Sequence, residues 1–257
     1  MAYETLAFLL AVAFAAGCID AIAGGGGLLT LPALLAAGLP PVAAVGTNKL
    51  QSSIGAAGTV AAFWRKGHVD PRRVAVPAAC AFVGSIGGAI LLSRVDPAVL
   101  AGLMPVLMIG IAAWFLFTPR LGEIERHARL GFAGLAAAVG VVGFYDGFFG
   151  PGAGAFYAAV FLSLGGLKLL RATAHTKAVN LSSNIAGLGV LIAGGNVVWI
   201  AGLVMAMGSL LGGQVGSRLA MRFGGRVIRP LLVVMSLALT ARMVADPVNP
   251  VHRWLWG

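Results

Sequence analysis

The sequence contains few charged residues and few cysteines for its length. Aspartate, glutamate, lysine and arginine make up 10% of the 257 residues, whereas about a quarter of the residues in a soluble domain are usually charged. Cys18 and Cys80 lie in separate apolar stretches and belong to no Cys-x-x-Cys or Cys/His pattern. Such spacing argues against a structural disulfide and a metal site. We therefore expect neither an ordinary soluble domain nor a protein with a metal or cofactor.

Signatures of enzymes and of nucleic-acid binding are also missing. The sequence has no His-Glu-x-x-His or Gly-x-Ser-x-Gly motif, and no carboxylate pair shares a helix face in an apolar run. The net charge of +10 comes largely from basic residues in short connecting segments such as 65–73 and 218–229. Basic loops between apolar runs are typical of the cytoplasmic side of membrane proteins. We predict neither an enzyme nor a nucleic-acid-binding protein.

Apolar residues are abundant and lie in long runs. Hydrophobic residues make up 59% of the chain, and runs of roughly 20 residues can cross the ~30 Å hydrocarbon layer as helices. The clear runs are Leu6–Ala23, Pro41–Trp64, Val74–Leu92, Val99–Phe117, Leu130–Phe149, Ala178–Ala193, Val197–Leu219 and Pro230–Ala245. The pattern predicts an all-α, multi-pass protein of the inner membrane that is surrounded by the lipid bilayer.

The two halves of the sequence resemble each other. A shift of 128 residues aligns 39–117 with 167–245 and places Asn48-Lys49 on Thr176-Lys177. A shift of 126 residues pairs Asp20 with Asp146 and aligns two glycine-rich runs. We predict repeats over 1–118 and 129–246, a cytoplasmic linker over 119–128 and a tail over 247–257. The predicted helical segments are 4–23, 27–38, 41–64, 72–93 and 97–118, then 129–148, 151–166, 169–194, 197–219 and 226–245.

The charges of matched loops predict that the second repeat is inverted in the membrane. The segment 65–73 is strongly basic, whereas its counterpart at 194–196 carries no charge. One helix later the order reverses, because 94–97 is nearly neutral and 218–229 is basic. Matched loops on opposite membrane faces require an odd number of segments in each half. Five segments satisfy this requirement if the short segments 27–38 and 151–166 count as glycine-broken or re-entrant helices.

The glycine-rich runs follow the two aspartates and precede the short segments. A helix break inside a membrane exposes backbone N–H groups at the start of the next helix, and these groups attract anions. Transporters commonly build their binding sites from such discontinuous helices. We expect Gly25, Gly26 and Gly152 to take part in a binding site. The alternative is that these glycines only allow helices to pack closely.

Two matched polar stretches lie early in the third helical segment of each half. A lysine inside a membrane helix is costly, so it is by default a functional candidate. Lysine with neighbouring hydroxyl and amide groups suits a small oxyanion, because it combines one charge with several hydrogen-bond donors. The alternative is that the lysines extend to the headgroups or bond between helices. The predicted binding residues are Asn48, Lys49, Gln51, Ser52, Thr176, Lys177, Asn180 and Ser183.

Three further residues are candidates for proton coupling. Asp20 and Asp146 are the acidic residues that lie well inside apolar runs. Each could neutralise a lysine, cap a glycine break or carry a proton. His175 can titrate near neutral pH, although a position at the membrane interface explains it equally well.

Several stretches resemble the sulfite exporter TauE/SafE family over nearly the whole chain. They are Ala23–Pro32, Gly38–Asn48, Trp64–Asp70, Arg171–Thr173, Gly194–Val197 and Gly208–Gly216. The second glycine run departs from the family pattern, because Pro151 and Ala153 stand where successive glycines are frequent. The resemblance implies export or uptake of sulfite, sulfonates or related small anions by a secondary mechanism.

The predicted function is therefore secondary transport of a small anionic substrate by alternating access. An anion channel of the same fold and a membrane scaffold without transport are the alternatives. Gly84-x-x-x-Gly88 and Gly212-x-x-x-Gly216 predict close helix packing, either between the two halves or between the protomers of a homodimer.

Overall fold

The computed structural model describes residues 1–23, 25–117 and 129–223. The predicted linker, the predicted last helical segment 226–245 and the predicted tail lie outside these residues, and so does Gly24. Within the described ranges the chain forms helices and no strand. The all-α prediction is confirmed.

The helix boundaries lie close to those predicted from the apolar runs. In the first half the helices are α1 (Tyr3–Ala23), α2 (Gly27–Ala36), α3 (Pro41–Arg65), α4 (Pro71–Arg94) and α5 (Pro97–Phe117). In the second half they are α6 (Phe132–Phe148), α7 (Ala153–Ala159) with a π-helical turn at Val160–Leu164, α8 (Leu169–Ala193) and α9 (Trp199–Phe223). Proline is the first residue of α3, α4 and α5, a position that tolerates its missing N–H.

Helices α2 and α7 are too short to cross a bilayer. Helix α2 has ten residues, which gives a length of roughly 15 Å at ~1.5 Å per residue. Helix α7 has seven residues and its π-helical turn adds five. Gly150 and Gly152 have φ angles of 97° and 81°, which glycine adopts without strain. The chain is thus broken after α1 and after α6, as the glycine-rich runs predict.

Within the part of the chain that the structure describes, four helices are long and apolar enough to cross a membrane by length and composition. These spans are Tyr3–Ala21, Pro71–Arg94, Pro97–Trp114 and Trp199–Gly216. Large apolar side chains on their outer faces are exposed, including Val83, Val106 and Ile200. An exposed apolar surface of this kind is stable in lipid rather than in water. The chain is therefore a multi-pass membrane protein.

The two halves pack against each other through glycines. A Cβ atom at Gly84 would overlap the carbonyl oxygen of Gly140, and one at Gly212 would overlap the carbonyl oxygen of Phe14. The first contact joins α4 to α6 and the second joins α1 to α9. The Gly-x-x-x-Gly motifs therefore bring the halves of one chain together.

Helices α3 and α8 pack against each other and run in opposite directions. Gly46 near the start of α3 meets Asn196 just beyond the end of α8, and Lys49 meets Gly187 one turn further along. Helix α9 runs parallel to α3, since the side chains of Thr47 and Gln51 bond to Val198 and Ser209 in that order. Helices α3 and α8, which occupy matched positions in the two halves, thus run in opposite directions.

Candidate functional site

A central cavity lies where the two chain breaks meet helices α3 and α8. The space open to the centre of a water-sized sphere within it is about 60 Å³, enough for a few water molecules or a small ion. Helices α1 and α9 complete its wall. The polar and glycine residues that line it are Gly17, Asp20, Gly26, Gly27, Asn48, Gln51, Ser52, Gly55, Thr59, Asp146, Gly150, Gly152, Gly154, Lys177, Asn180, Asn184, Ser209 and Gly213.

The helical repeat places the polar residues of α3 and α8 on the cavity wall. In α3, Asn48 and Ser52 are one turn apart, and both line the cavity. In α8, Lys177, Asn180 and Asn184 follow the same spacing of three and four residues, which puts them on one face of a helix. Because this face is buried inside the protein, α3 and α8 can carry polar residues at membrane depth.

An ion pair between Lys177 and Asp20 lies at the cavity wall. The Nζ atom of Lys177 is 2.6 Å from the Oδ2 atom of Asp20, and it also donates to the Asp20 carbonyl oxygen at 3.0 Å. The Oδ1 atom of Asp20 accepts from the backbone N–H of Gly26 at 3.4 Å. The Asp20 side chain is 39% exposed, whereas that of Lys177 is 5% exposed. This pair links α1 to α8 beside the first chain break. Both of its residues line the cavity.

A second ion pair, between Lys49 and Asp146, is closed off from the cavity on its lysine side. The Nζ atom of Lys49 is 3.3 Å from the Oδ1 atom of Asp146, and the two side chains are 1% and 3% exposed. Lys49 also donates to the Oδ1 atom of Asn184 at 3.4 Å, and the hydroxyl of Ser183 donates to Asp146. Asp146 lines the cavity but Lys49 does not.

The two ion pairs are reciprocal between the halves. Each lysine pairs with the aspartate of the other half, so that matched residues make matched contacts. Both lysines are buried and paired, so neither extends to the headgroups, and both bond between helices, as the other part of that alternative states. The two lysines and two aspartates cancel in charge, which makes their burial much less costly.

The other predicted binding residues divide between the cavity and its surroundings. Asn48 accepts from the hydroxyl of Thr30 at 2.6 Å, and Gln51 donates to Ser209 at 2.8 Å. Both line the cavity, as do Ser52, Asn180, Gly26 and Gly152. Three predicted residues, Gly25, Thr176 and Ser183, are buried but do not line it.

His175 lies outside the cavity, against the connection between α3 and α4. Its Nε2 atom accepts from the backbone N–H of Asp70 at 3.2 Å. The matched residue Thr47 accepts from the backbone N–H of Val198 at 3.0 Å, and Val198 is the counterpart of Asp70. Each side chain thus holds a connecting segment of the other half in place.

Sequence reasoning missed several residues of the cavity. Asn184 lies one turn after Asn180, and its side chain donates to the carbonyl oxygen of Asn180 at 2.8 Å. The helical spacing puts Asn184 on the same face as Asn180, although the predicted binding residues omit it. Ser209 and Gly213 reach the cavity from α9, but they lie in an apolar run without any local signal. Only the packing of α9 against α3 brings them there.

Comparison with known proteins agrees with this architecture. A family model described as "Sulfite exporter TauE/SafE" matches residues 9–243. The chain belongs to the TauE/SafE sulfite exporter family. This membership and the apolar helices identify it as a multi-pass membrane transporter of the inner membrane.

Relatives with similar sequences are known from several bacteria. The chain is 44% identical over 256 residues to the "Probable membrane transporter protein ORF9" of Sinorhizobium sp, covering 99% of this chain and 98% of that protein. It is 47% identical over 242 residues to the "Probable membrane transporter protein YfcA" of Escherichia coli K12, covering 94% and 90% respectively. A "Probable membrane transporter protein" of Haemophilus influenzae is 43% identical over 244 residues, covering 95% of this chain and 96% of that protein. No solved structure matches the chain significantly.

Proposed function

We propose that this protein is a secondary transporter that binds a small anion in the central cavity. Sulfite, an organosulfonate or a related sulfur oxyanion or carboxylate is the substrate class. The observation that carries the proposal is the position of Lys177, a cation that reaches a polar cavity between two broken helices. A buried cation with hydrogen-bond donors around it is what an anion needs when it leaves water.

The donors that would hold the anion belong to both halves of the chain. Asn48, Gln51 and Ser52 line the cavity on α3, and Asn180 lines it on α8. The start of α2 lies at Gly26 and Gly27, where the positive end of the helix dipole favours negative charge. Directional donors around one cation suit a compact oxyanion better than an apolar or cationic substrate.

Charge balance suggests how a proton would accompany the anion. In the structure Lys177 is already neutralised by Asp20, so an added anion would bring uncompensated charge into the membrane. If Asp20 takes up one proton, Lys177 becomes free for one singly charged anion and the charge of the site is unchanged. Asp20 is suited to this exchange because it is the more exposed of the two aspartates.

Opposite helix directions in the two halves support an inverted repeat and alternating access. Helices α3 and α8 are antiparallel, and the basic loop 65–73 matches the uncharged loop 194–196. Together these features favour repeats over 1–118 and 129–246 in opposite membrane orientation. The cavity extends along α3 as far as Thr59, towards the basic loop that the charge rule assigns to the cytoplasm.

The decisive experiment is uptake of radiolabelled sulfite into proteoliposomes that contain the purified protein. We expect saturable uptake by the wild type and at least a tenfold loss with Lys177→Ala, because about 1.4 kcal/mol of lost binding is already tenfold. Lys66→Ala, an exposed lysine outside the cavity, is the matched control and should keep normal uptake.

Saturable uptake that survives Lys177→Ala would contradict the site. Uptake that never saturates would indicate a channel. Absence of uptake of sulfite, sulfonates and thiosulfate by the wild type would contradict the substrate class.

A further inference from the structure

The centre of the cavity receives matching residues from both halves of the chain. Asp20 and Asp146 line it, as do their neighbours Gly26 and Gly152 at the two chain breaks. Ser52 of α3 and its counterpart Asn180 of α8 also line it. Three matched pairs of positions therefore line the cavity, with one residue of each pair from each half.

The passage that leads away from the centre is not symmetric. On one side the cavity continues along Gly55 and Thr59 of α3 and Gly213 of α9. The counterparts of these residues are Ser183 and Gly187 of α8 and Ser85 of α4. All three counterparts are buried and none of them lines the cavity.

Direct contacts close the counterpart side. The hydroxyl of Ser85 donates to the carbonyl oxygen of Ser183 at 2.6 Å, and the hydroxyl of Ser183 donates to Asp146. The aliphatic chain of Lys49 fills the space beside Gly187, where an added Cβ would lie 2.7 Å from the lysine Cε atom. The residues that close this side are thus small or polar, and one of them belongs to the buried ion pair.

We propose that a second entrance to the central site opens between α4, α6 and α8, along Ser85, Ser183 and Gly187. This inference rests on the proposed transport function and adds the route by which the opposite side of the membrane reaches the site. In the second state, α4, α6 and α8 adopt the arrangement that their matched helices α9, α1 and α3 have in this structure. The side that is closed here is then open. In that state the Lys49–Asp146 pair meets the passage, while the Lys177–Asp20 pair is enclosed.

The chemistry of the closed side supports an opening passage over a permanent contact. Hydroxyl and charged groups can be hydrated when helices separate, whereas a permanent contact at membrane depth could be made by apolar residues of similar size. The lipid-facing surface of the same helix is apolar, as Val83 shows. Ser85 of α4, by contrast, lies on the buried side of the helix, where the entrance would open.

Accessibility of single cysteines to a membrane-impermeant thiol reagent tests this inference. The background is the full chain with Cys18 and Cys80 replaced by alanine, and labelling is measured in right-side-out and inside-out vesicles. We expect Thr59→Cys to react from one face and Ser85→Cys to react from the other. The second reaction should be slower by about tenfold or more, because a minor conformation is typically populated at 0.1–10%. Val83→Cys, which is lipid-exposed on α4, is the matched control and should react from neither face.

Coupling between the two entrances gives a second readout. A bulky maleimide on Thr59→Cys should hold the first entrance open and lower the rate at Ser85→Cys by about tenfold. Ala81→Cys replaces Ser85→Cys if the latter is not folded, since Ala81 is the counterpart of the cavity residue Ser209. Labelling of the α4 probe from the same face as Thr59→Cys, or no more labelling than Val83→Cys, would overturn the second entrance. Anion uptake is measured separately, so reciprocal labelling without sulfite uptake would contradict the substrate class and leave the entrance supported.

Discussion

At the scale of single residues, the two ion pairs differ in their surroundings although their sequences match. Lys49 and Asp146 are almost completely enclosed, whereas Asp20 is 39% exposed. Breaking an enclosed pair leaves an unpaired charge in a medium of low dielectric constant, which costs more than breaking a hydrated pair. The two matched lysines should therefore respond differently to mutation.

The first prediction concerns the stability of the enclosed pair. Lys49→Met should destabilise the protein by about 3–5 kcal/mol, because it leaves Asp146 buried without a cation. Lys177→Met is the matched control and should cost less, since Asp20 can be hydrated. Thermal unfolding of the purified proteins in detergent measures the difference. Equal losses for the two variants would contradict the assigned difference in burial.

The second prediction concerns proton coupling at Asp20. Asp20→Asn removes the carboxylate that we propose to couple transport to protons while Lys177 stays in place, so anion exchange should persist but lose its dependence on a pH gradient. Proteoliposome uptake with and without a gradient measures this. Glu4→Gln, a change of an acidic residue at the exposed N-terminal end of α1, serves as the control. Gradient-driven uptake by Asp20→Asn would rule out Asp20 as the coupling group.

At the scale of helices, glycine decides how closely the two halves approach. Gly84 and Gly88 of α4 contact the backbone of α6, and Gly212 and Gly216 of α9 contact the backbone of α1. A side chain at these positions would have to push the helices apart. Small residues have this role in membrane proteins because packing and dispersion, rather than exclusion of water, hold the helices together.

The third prediction follows from these contacts. Gly84→Ala should destabilise the protein by about 1–3 kcal/mol, because the added methyl group overlaps the Gly140 backbone. Gly110→Ala on α5 is the control, since no described atom beyond its chain neighbours and the adjacent backbone of its own helix lies within 4 Å of its added Cβ. The measurement is thermal unfolding of each variant. A neutral Gly84→Ala would show that α4 and α6 are not in direct contact.

At the scale of the whole molecule, helix directions and loop charges lead to one topology. The antiparallel arrangement of α3 and α8 sends their C-terminal ends to opposite faces. We therefore expect the basic segment after α3 on the cytoplasmic face, by the positive-inside rule, and the uncharged segment after α8 on the other face.

The fourth prediction tests this topology. Lys66→Cys, just after α3, should react with an impermeant thiol reagent only from the cytoplasmic side. Ala193→Cys, at the end of α8, should react only from the opposite side. Both residues are exposed, and cysteine-free protein in the same vesicles is the control. Labelling of both sites from one face would contradict the inverted repeat.

Local sequence patterns determined the membrane class, the nine described helices and the polar faces of α3 and α8. This was possible because run length, glycine breaks and helical spacing act over a few residues. The same patterns left open how Asp20 and Asp146 act, and only the tertiary structure decided which lysine each one pairs with. It also placed His175 and Thr176 away from the cavity, brought Ser209 to its wall and enclosed Lys49 while leaving Asp20 open. These outcomes depend on packing between helices that are far apart in the chain, and local spacing carries no information about such distances.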